Sequence, residues 1–247
     1  MNTSNIDNRI VPITRLVAAL VVPVLVLAFI ILYFFPHLSG QHFSWEIKPS
    51  LMAVYMGAGY LGGSFLFLQT AIGKYWHRVA GGFLAVTTFT TLMLIATFLH
   101  WERFDLQHFP FQLWLLLYLV TPVLIPWLWQ HNRKTDPGTA EPNDVEVPQI
   151  IRYAVRGLGI VVVTISLIGF AFPSFLIQIW PWPLTPLLAR ILAGWGGLLG
   201  VGNLVIGGEK RWSAWRYLVA SIAIWHILYL IGSVTYRAAF IDRKSVV

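Results

Sequence analysis

The last long apolar stretch of this 247-residue chain contains a histidine, His226, near its middle. An ionisable side chain at such a depth is a functional candidate by default. The residue 136 positions earlier is Thr90, inside the polar run TTFTT, so the two residues are predicted to share a polar spot. Two roles remain open for His226: a neutral histidine bonded to a threonine or carbonyl, or an axial ligand of haem or chlorophyll. Bis-histidine haem ligation is excluded, because no second histidine occurs at a similar depth.

Arg190 is the second candidate, because it lies about one turn into an apolar stretch. Its guanidinium can extend to the membrane interface or pair with an acid of neighbouring loops (Glu46, Glu102 or Asp105). It can also face a cavity and bind a carboxylate or another anion. The residues that we expect to contact a ligand are Arg190, His226, Thr90, Trp195, Trp225 and Tyr55.

The segment HWERFDLQH (100–108) brings His, Glu and Asp together within one loop. These residue types bind zinc, and His100, Glu102 and His108 are the candidate ligands. Their spacing matches no known zinc motif, so a solvated loop is the alternative. A metal-dependent enzyme on this face would need that site.

The composition is that of a membrane protein. Hydrophobic residues make up 57% of the chain and charged residues 11%, where soluble domains carry about 25%. The net charge of +7 indicates no nucleic-acid partner, because membrane proteins collect Lys and Arg at their cytoplasmic ends. With no cysteine, disulfides, thiolate metal sites and cysteine nucleophiles are excluded.

Seven stretches are long and apolar enough to cross a bilayer, which takes roughly 20 residues. They are 16–35, 51–73, 79–101, 111–130, 157–172, 186–207 and 217–236. The fifth is short, and we expect it to extend at its outer end. The sequence therefore predicts an all-α polytopic protein of seven transmembrane helices.

The distribution of Lys and Arg predicts the orientation. Of the 17 such residues, eleven fall on one side of the predicted spans: Arg9, Arg15, Lys74, Arg78, Arg133, Lys134, Arg152, Arg156, Lys210, Arg211 and Arg216. The positive-inside rule then places the N-terminus in the cytoplasm and the C-terminus outside. The polar segment 131–149 reads as a flexible cytoplasmic linker.

The chain aligns with itself at an offset of 137 positions. WEIKPSLMAVYMGAGYLGG (45–63) lies over WPLTPLLARILAGWGGLLG (182–200), and Trp, Pro and Gly residues are in register. The pattern predicts two parallel three-helix repeats, 1–109 and 151–247, joined by a linker helix and polar loop at 110–150. The paired glycines are predicted helix-packing positions near the contact between the repeats: Gly57, Gly59, Gly63, Gly194, Gly196 and Gly200.

This three-plus-one-plus-three plan resembles that of the SWEET sugar facilitators by architecture only, which does not imply function. The patterns GAGYLGG and LHWERF look like those of uncharacterised bacterial multi-pass proteins, a resemblance that implies a bacterial plasma membrane and no activity. A retinal protein needs a lysine within the seventh span, and 217–236 contains none.

Three functions remain open. The first is a non-enzymatic protein that binds or passes a small or lipophilic solute between the repeats. Proton coupling is disfavoured, because no predicted span contains Asp or Glu. The second is an accessory or assembly subunit of a larger membrane complex, in which His226 could hold a pigment or haem. The third is a membrane-embedded metal-dependent enzyme. The expected partners are the lipid bilayer, a small-molecule ligand, and other membrane subunits or a second copy, with no resident cofactor.

Overall fold

The computed structural model describes residues 7–240 and consists of helices joined by loops and short helical segments. The seven long helices are α1 (Pro12–Phe34), α2 (Ser50–Ile72), α3 (His77–Leu99), α4 (Phe109–Asn132), α5 (Gln149–Ala171), α6 (Pro186–Ile206) and α7 (Trp212–Thr235). All seven are long and apolar enough to cross a membrane. The predicted all-α class with seven spans is confirmed, and the architecture fits an integral membrane protein.

Burial differs sharply between the helices and identifies the centre of the bundle. Within the most apolar 18 residues of each helix, the buried share is 72% in α2 and 56% in α6. It is only 11% in α1 and 17% in α5. In a bilayer the exposed apolar faces of α1 and α5 contact lipid tails, which are as apolar as these side chains. α2 and α6 therefore form the inner part of the bundle.

Helix packing follows the same plan in both halves. α1 packs on α2, and α5 packs on α6. The third helix of each half crosses to the other half, since α3 packs on α6 and α7 packs on α2. α4 packs on α3 and has no counterpart. When α1, α2 and α3 are matched with α5, α6 and α7, each of these contacts in one half has a counterpart in the other.

Backbone hydrogen bonds next to the helix ends also recur. In each half, two such bonds join the segment before the first helix to the loop after the second helix. The segment donates one of them and the loop donates the other. In the first half they are Ile10 N to Lys74 O (3.1 Å) and Trp76 N to Asn8 O (2.8 Å), and in the second half Val147 N to Lys210 O (2.8 Å) and Trp212 N to Val145 O (3.0 Å). The corresponding residues are 137 or 136 positions apart. These are the contacts that the predicted repeat requires, and the duplication itself stays a prediction.

The prediction for the fifth span was wrong about the end that extends. α5 begins at Gln149, eight residues before the predicted start at 157, and ends at Ala171. Arg152 and Arg156 lie in this added part. A transmembrane helix tolerates them there, because long basic side chains can extend from a helix end to the interface. On the other side the helix stops before Pro173, which begins a separate short helix, Pro173–Ile179.

The polar segment 131–149 is held in place by ion pairs, which corrects the prediction of a flexible linker. The Arg211 side chain is only 9% exposed and binds Asp136 at 2.8 Å and Glu209 at 2.6 Å. Arg78 makes two hydrogen bonds to the Glu141 carboxylate. Local composition predicted flexibility, but the partners of these carboxylates come from distant loops and helix ends.

Candidate functional site

The two halves meet at a cluster of aromatic side chains around Trp195 of α6. Trp195 is 3% exposed, and its ring centroid lies 4.4 Å from that of Phe89 and 4.9 Å from that of Trp225. Tyr60 of α2 packs on the same ring at 5.3 Å. Gly59 permits this approach, because a Cβ at that position would lie 2.7 Å from the Trp195 ring. An indole ring therefore fills the space between α2 and α6.

Beside this cluster lies a cavity of about 420 Å³. Six helices contribute to its wall, namely α1, α2, α3, α4, α6 and α7. All of its lining residues are uncharged, and most of them are aliphatic or aromatic. The volume falls within the range of small-molecule sites, which is roughly 300–1,000 Å³. The cavity therefore suits an apolar molecule.

The cavity reaches the outer surface of the bundle between α1 and α4. Leu20 of α1 lines it and is 64% exposed, and Leu116 and Val120 of α4 line it and are 58% and 46% exposed. α1 packs on α2 and α4 packs on α3, which leaves a gap between α1 and α4. One end of that gap is closed, where Val11 N donates to Asn132 Oδ1 at 3.0 Å. The opening thus lies within the span of the helices, where lipid tails would face it.

Most polar groups of the cavity wall are already hydrogen-bonded. Ser221 Oγ donates to Gly62 O at 2.6 Å, and Thr121 Oγ1 donates to Leu117 O at 2.7 Å. The Trp195 indole Nε1–H is the exception, since it is buried and has no hydrogen-bond partner among the described residues. A buried donor without an acceptor is unfavourable by about 1–3 kcal/mol. This N–H is covered by its neighbours, so it adds no hydrogen-bonding group to the cavity surface.

Four of the six predicted ligand contacts lie at this site. Thr90, Trp195 and Trp225 line the cavity. Tyr55 packs on both tryptophan rings, and its carbonyl accepts a hydrogen bond from Trp225 Nε1 at 3.1 Å. The Thr90 hydroxyl donates to Thr87 O at 3.1 Å.

His226 is placed elsewhere. Its side chain is exposed on the outer surface of α7, and Nδ1 donates to Ile222 O at 2.8 Å. This bond to the preceding turn is the backbone-bonded arrangement that the sequence left open. The predicted polar spot shared by His226 and Thr90 is not formed, because Thr90 faces the cavity and His226 faces outward.

Arg190 also lies away from the cavity, near the N-terminal end of α6. Its Nη1 donates to His100 Nε2 at 2.7 Å, and its Nε donates to Phe170 O at 3.1 Å. Burial of His100, and secondarily the charge of Arg190, lowers the pKa of this histidine below its ordinary value. Within residues 7–240, Arg190 forms no ion pair with the expected acids. Glu46 pairs with Lys48, and Glu102 lies beside Arg103.

The candidate metal ligands do not converge. His100 binds Arg190, and His108 Nε2 donates to Phe43 O at 3.0 Å. Glu102 is exposed beside Arg103. The part of the chain that the structure describes contains no group of three or more potential metal ligands.

The predicted packing glycines serve two different contacts. Gly57 lies against α1, and Gly196 and Gly200 lie against α5, so these glycines pack within their own half. Gly63 lines the cavity, with Leu25 of α1 as its neighbour. Gly59 and Gly194 contact the other half, through Trp195 and Met93. The prediction that all six lie near the contact between the repeats is therefore wrong for Gly57, Gly63, Gly196 and Gly200, whose neighbours belong to their own half.

A polar cluster around His77 at the first turn of α3 was not predicted. Nδ1 of His77 lies 2.6 Å from the Asn8 amide nitrogen, and Nε2 lies 2.9 Å from both Ser213 Oγ and Glu141 Oε1. The carboxylate can only accept, so Nε2 carries the proton and Nδ1 accepts from Asn8. His77 in this form cannot take a proton from Ser213, whose hydroxyl donates to Asp144. The cluster is therefore a structural junction. The sequence signal was the offset of 136 that relates His77 to Ser213.

Comparison of the chain with protein-family models, with curated proteins and with solved structures finds no match.

Proposed function

We propose that this integral membrane protein binds a lipophilic molecule, which enters the cavity from the bilayer through the gap between α1 and α4. The observation that carries the proposal is the position of the cavity. Its wall is uncharged, it is large enough for a ligand, and exposed residues of α1 and α4 line its opening. A water-soluble solute would have to cross lipid to reach such an opening, whereas a lipid or another lipophile is already there.

The cavity wall also favours a particular ligand chemistry. An apolar body suits the aliphatic residues of α1 and α4. No cation in the wall would pair with an anionic headgroup, so we expect any charged group to remain at the membrane surface. The ligand class is therefore an apolar chain, such as an acyl or isoprenoid chain.

The proposed role is non-enzymatic binding or passage without proton coupling. The wall holds no carboxylate or histidine that could carry a proton. The Ser221 hydroxyl donates to Gly62 O of α2, and the Thr90 hydroxyl donates to Thr87 O in its own helix, so backbone carbonyls already accept from both groups.

Filling the cavity tests the proposal. Gly63 and Gly202 line it, and a Cβ at either position meets its nearest atom only at 3.6 Å, so Gly63→Leu and Gly202→Leu should fold and occupy its volume. Gly157→Leu is the matched control, because a Cβ there meets nothing within 4 Å and the residue lies on exposed α5.

The measurement is solvent extraction and mass spectrometry of purified protein, together with binding of a dansyl-labelled fatty acid. We expect the wild type and Gly157→Leu to carry a lipophile and to bind the probe. Gly63→Leu and Gly202→Leu, which fill the cavity, should lose most of the co-purified lipophile and most of the probe binding. Equal binding by wild type and filled variants, or co-purified protein subunits with no lipophile, would contradict the proposal and favour an accessory role.

A further inference from the structure

A second pocket, of about 230 Å³, lies on the surface where α1 begins and α2 ends. It is separate from the cavity between the halves. Three of its six lining residues are basic: Arg9, Ile10, Arg15, Ile72, Gly73 and Lys74. The pocket therefore combines positive charge with the end of a lipid-facing helix pair.

The positive charge of this pocket is largely uncompensated. Arg15 donates to two carbonyls at the end of α2, Ala71 O at 3.0 Å and Ile72 O at 3.4 Å, and these bonds hold its guanidinium at the pocket. Lys74 lies over the Tyr75 ring at 5.2 Å. Among the described residues, neither cation lies within 4.0 Å of a carboxylate. Within residues 7–240, the ion-pair partner of Arg9 is Asp7 at 3.3 Å, and both side chains are well exposed, so solvent weakens this pair.

The equivalent place in the second half provides an internal comparison. Aligned at 137 or 136 positions, its residues carry three cations and three acids, whereas the first half carries three cations and one acid. The pairs are Asp7 and Asp144, Arg9 and Glu146, Arg15 and Arg152, Gly73 and Glu209, Lys74 and Lys210, and Tyr75 and Arg211. The two acids that neutralise the second half are thus replaced by an arginine and a glycine in the first. An excess of positive charge is specific to one of two otherwise similar sites.

The surface next to the pocket is apolar and exposed. Leu16 and Ile13 of α1 are 56% and 40% exposed, and Ile72 and Leu68 of α2 are 64% and 41% exposed. These residues continue from the pocket along the two helices toward the bilayer core. A molecule with an anionic head and an apolar chain can therefore contact both surfaces at once.

We propose that this pocket, defined by Arg9, Arg15 and Lys74, binds the phosphate of an anionic phospholipid whose acyl chains lie on α1 and α2. Arginine and lysine donate charge-assisted hydrogen bonds to phosphate oxygens. Basic groups near an anionic membrane surface contribute about 1 kcal/mol each to lipid association. The same phosphate chemistry is present in free inorganic phosphate, which lacks the chains for the apolar surface.

The test uses native mass spectrometry of the full-length protein in detergent, titrated with phosphatidylglycerol, with phosphatidylcholine or with inorganic phosphate. Arg9→Glu introduces the acid of the second half, and Lys74→Ala removes a cation; neither change touches the Arg15 bonds that hold the end of α2. Lys210→Ala is the matched control for Lys74→Ala. Circular dichroism and the unfolding temperature establish that each variant is folded.

We expect the wild type to bind phosphatidylglycerol more tightly than phosphatidylcholine. Lys74→Ala should weaken phosphatidylglycerol binding about fivefold, as the loss of about 1 kcal/mol implies, and Arg9→Glu by more. Lys210→Ala and the cavity-filling variant Gly63→Leu should bind as the wild type does, which separates this site from the proposed lipophile cavity. The proposal would be overturned if the wild type bound the two lipids with equal affinity, or if Lys210→Ala lost as much phosphatidylglycerol affinity as Lys74→Ala. It would also be overturned if millimolar inorganic phosphate competed for the site and the protein preferred neither lipid.

Discussion

His77 Nε2 and Ser213 Oγ lie 2.9 Å apart, and this hydrogen bond joins the first turn of α3 to the first turn of α7. The two residues are 136 positions apart, so each half contributes one partner from the same place in the predicted repeat. Both are buried, with His77 1% and Ser213 4% exposed. The bond therefore fixes the two crossing helices, α3 and α7, at one end of the bundle.

Replacing His77 by alanine should destabilise this junction. The substitution removes the acceptor of the buried Asn8 amide, and such an unsatisfied group costs about 1–3 kcal/mol. Ser213 and Glu141 each lose one hydrogen bond and keep their bonds to Asp144 and Arg78. We expect a clearly lower thermal unfolding temperature in detergent. His42→Ala is the control, because His42 is exposed and should unfold at the wild-type temperature. An unfolding temperature of His77→Ala equal to that of the control would contradict a structural role.

The Glu141 carboxylate should make stability depend on acid pH. Its hydrogen bonds with Arg78 hold the pKa of Glu141 below its ordinary value of 4.5. As the pH falls, the unfolded chain therefore binds this proton before the folded chain does. The contribution of Glu141 to the free energy of unfolding is complete above about pH 4.5 and is lost as the pH falls through the lower pKa of the folded chain. The unfolding temperature measured between pH 6 and pH 3.5 should fall more in the wild type than in Glu141→Gln, which cannot titrate there. Parallel curves would contradict the prediction.

His100 should add a second pH dependence, at the other end of the bundle. Burial and the neighbouring Arg190 lower the pKa of His100 below its ordinary value of 6.5. Below that value the unfolded chain takes up a proton that the folded chain excludes, so stability decreases as the pH falls from about 6.5 toward the folded pKa. His100→Gln retains an acceptor for Arg190 without titrating, and its unfolding temperature should change less between pH 7.5 and 5.5. A pKa of His100 above 6.5 by NMR would disprove this account.

Hydropathy and helix-terminating residues were enough to predict the helices but not which helices pack together. Long apolar runs predicted all seven spans, Pro49 directly precedes the first residue of α2, and Pro186 is the first residue of α6. Periodicity is a local property, however, whereas the Arg190–His100 bond joins residues 90 positions apart. The cavity is less predictable still, since it depends on a gap between α1 and α4. Trp195 is foreseeable from the sequence, because a tryptophan deep in a span lies away from the interfacial region that tryptophan prefers.

Two adjacent glycines of α2 should respond oppositely to alanine. A Cβ at Gly62 would lie 2.7 Å from the backbone oxygen of Ser221, so Gly62→Ala must push α7 away from α2. Such overpacking is unfavourable by roughly 1–3 kcal/mol. At Gly63 the nearest atom is Leu25 Cδ1 at 3.6 Å, and alanine should be neutral or stabilising by about 0.5–1 kcal/mol through better helix propensity. Chemical unfolding of the two variants compares them directly, and equal stability would contradict the predicted α2–α7 contact.

The absence of cysteine makes the orientation directly measurable, because any introduced cysteine is the single thiol of the chain. Gln107 and Ala140 are both exposed, in the loops that precede and follow α4, so they lie at opposite ends of that helix. The excess of Lys and Arg on the Ala140 side predicts that this side is cytoplasmic. A membrane-impermeant maleimide should therefore label Gln107→Cys in intact cells and label Ala140→Cys only after permeabilisation. The reverse labelling pattern would invert the orientation and place the basic Arg9–Arg15–Lys74 pocket on the outer surface.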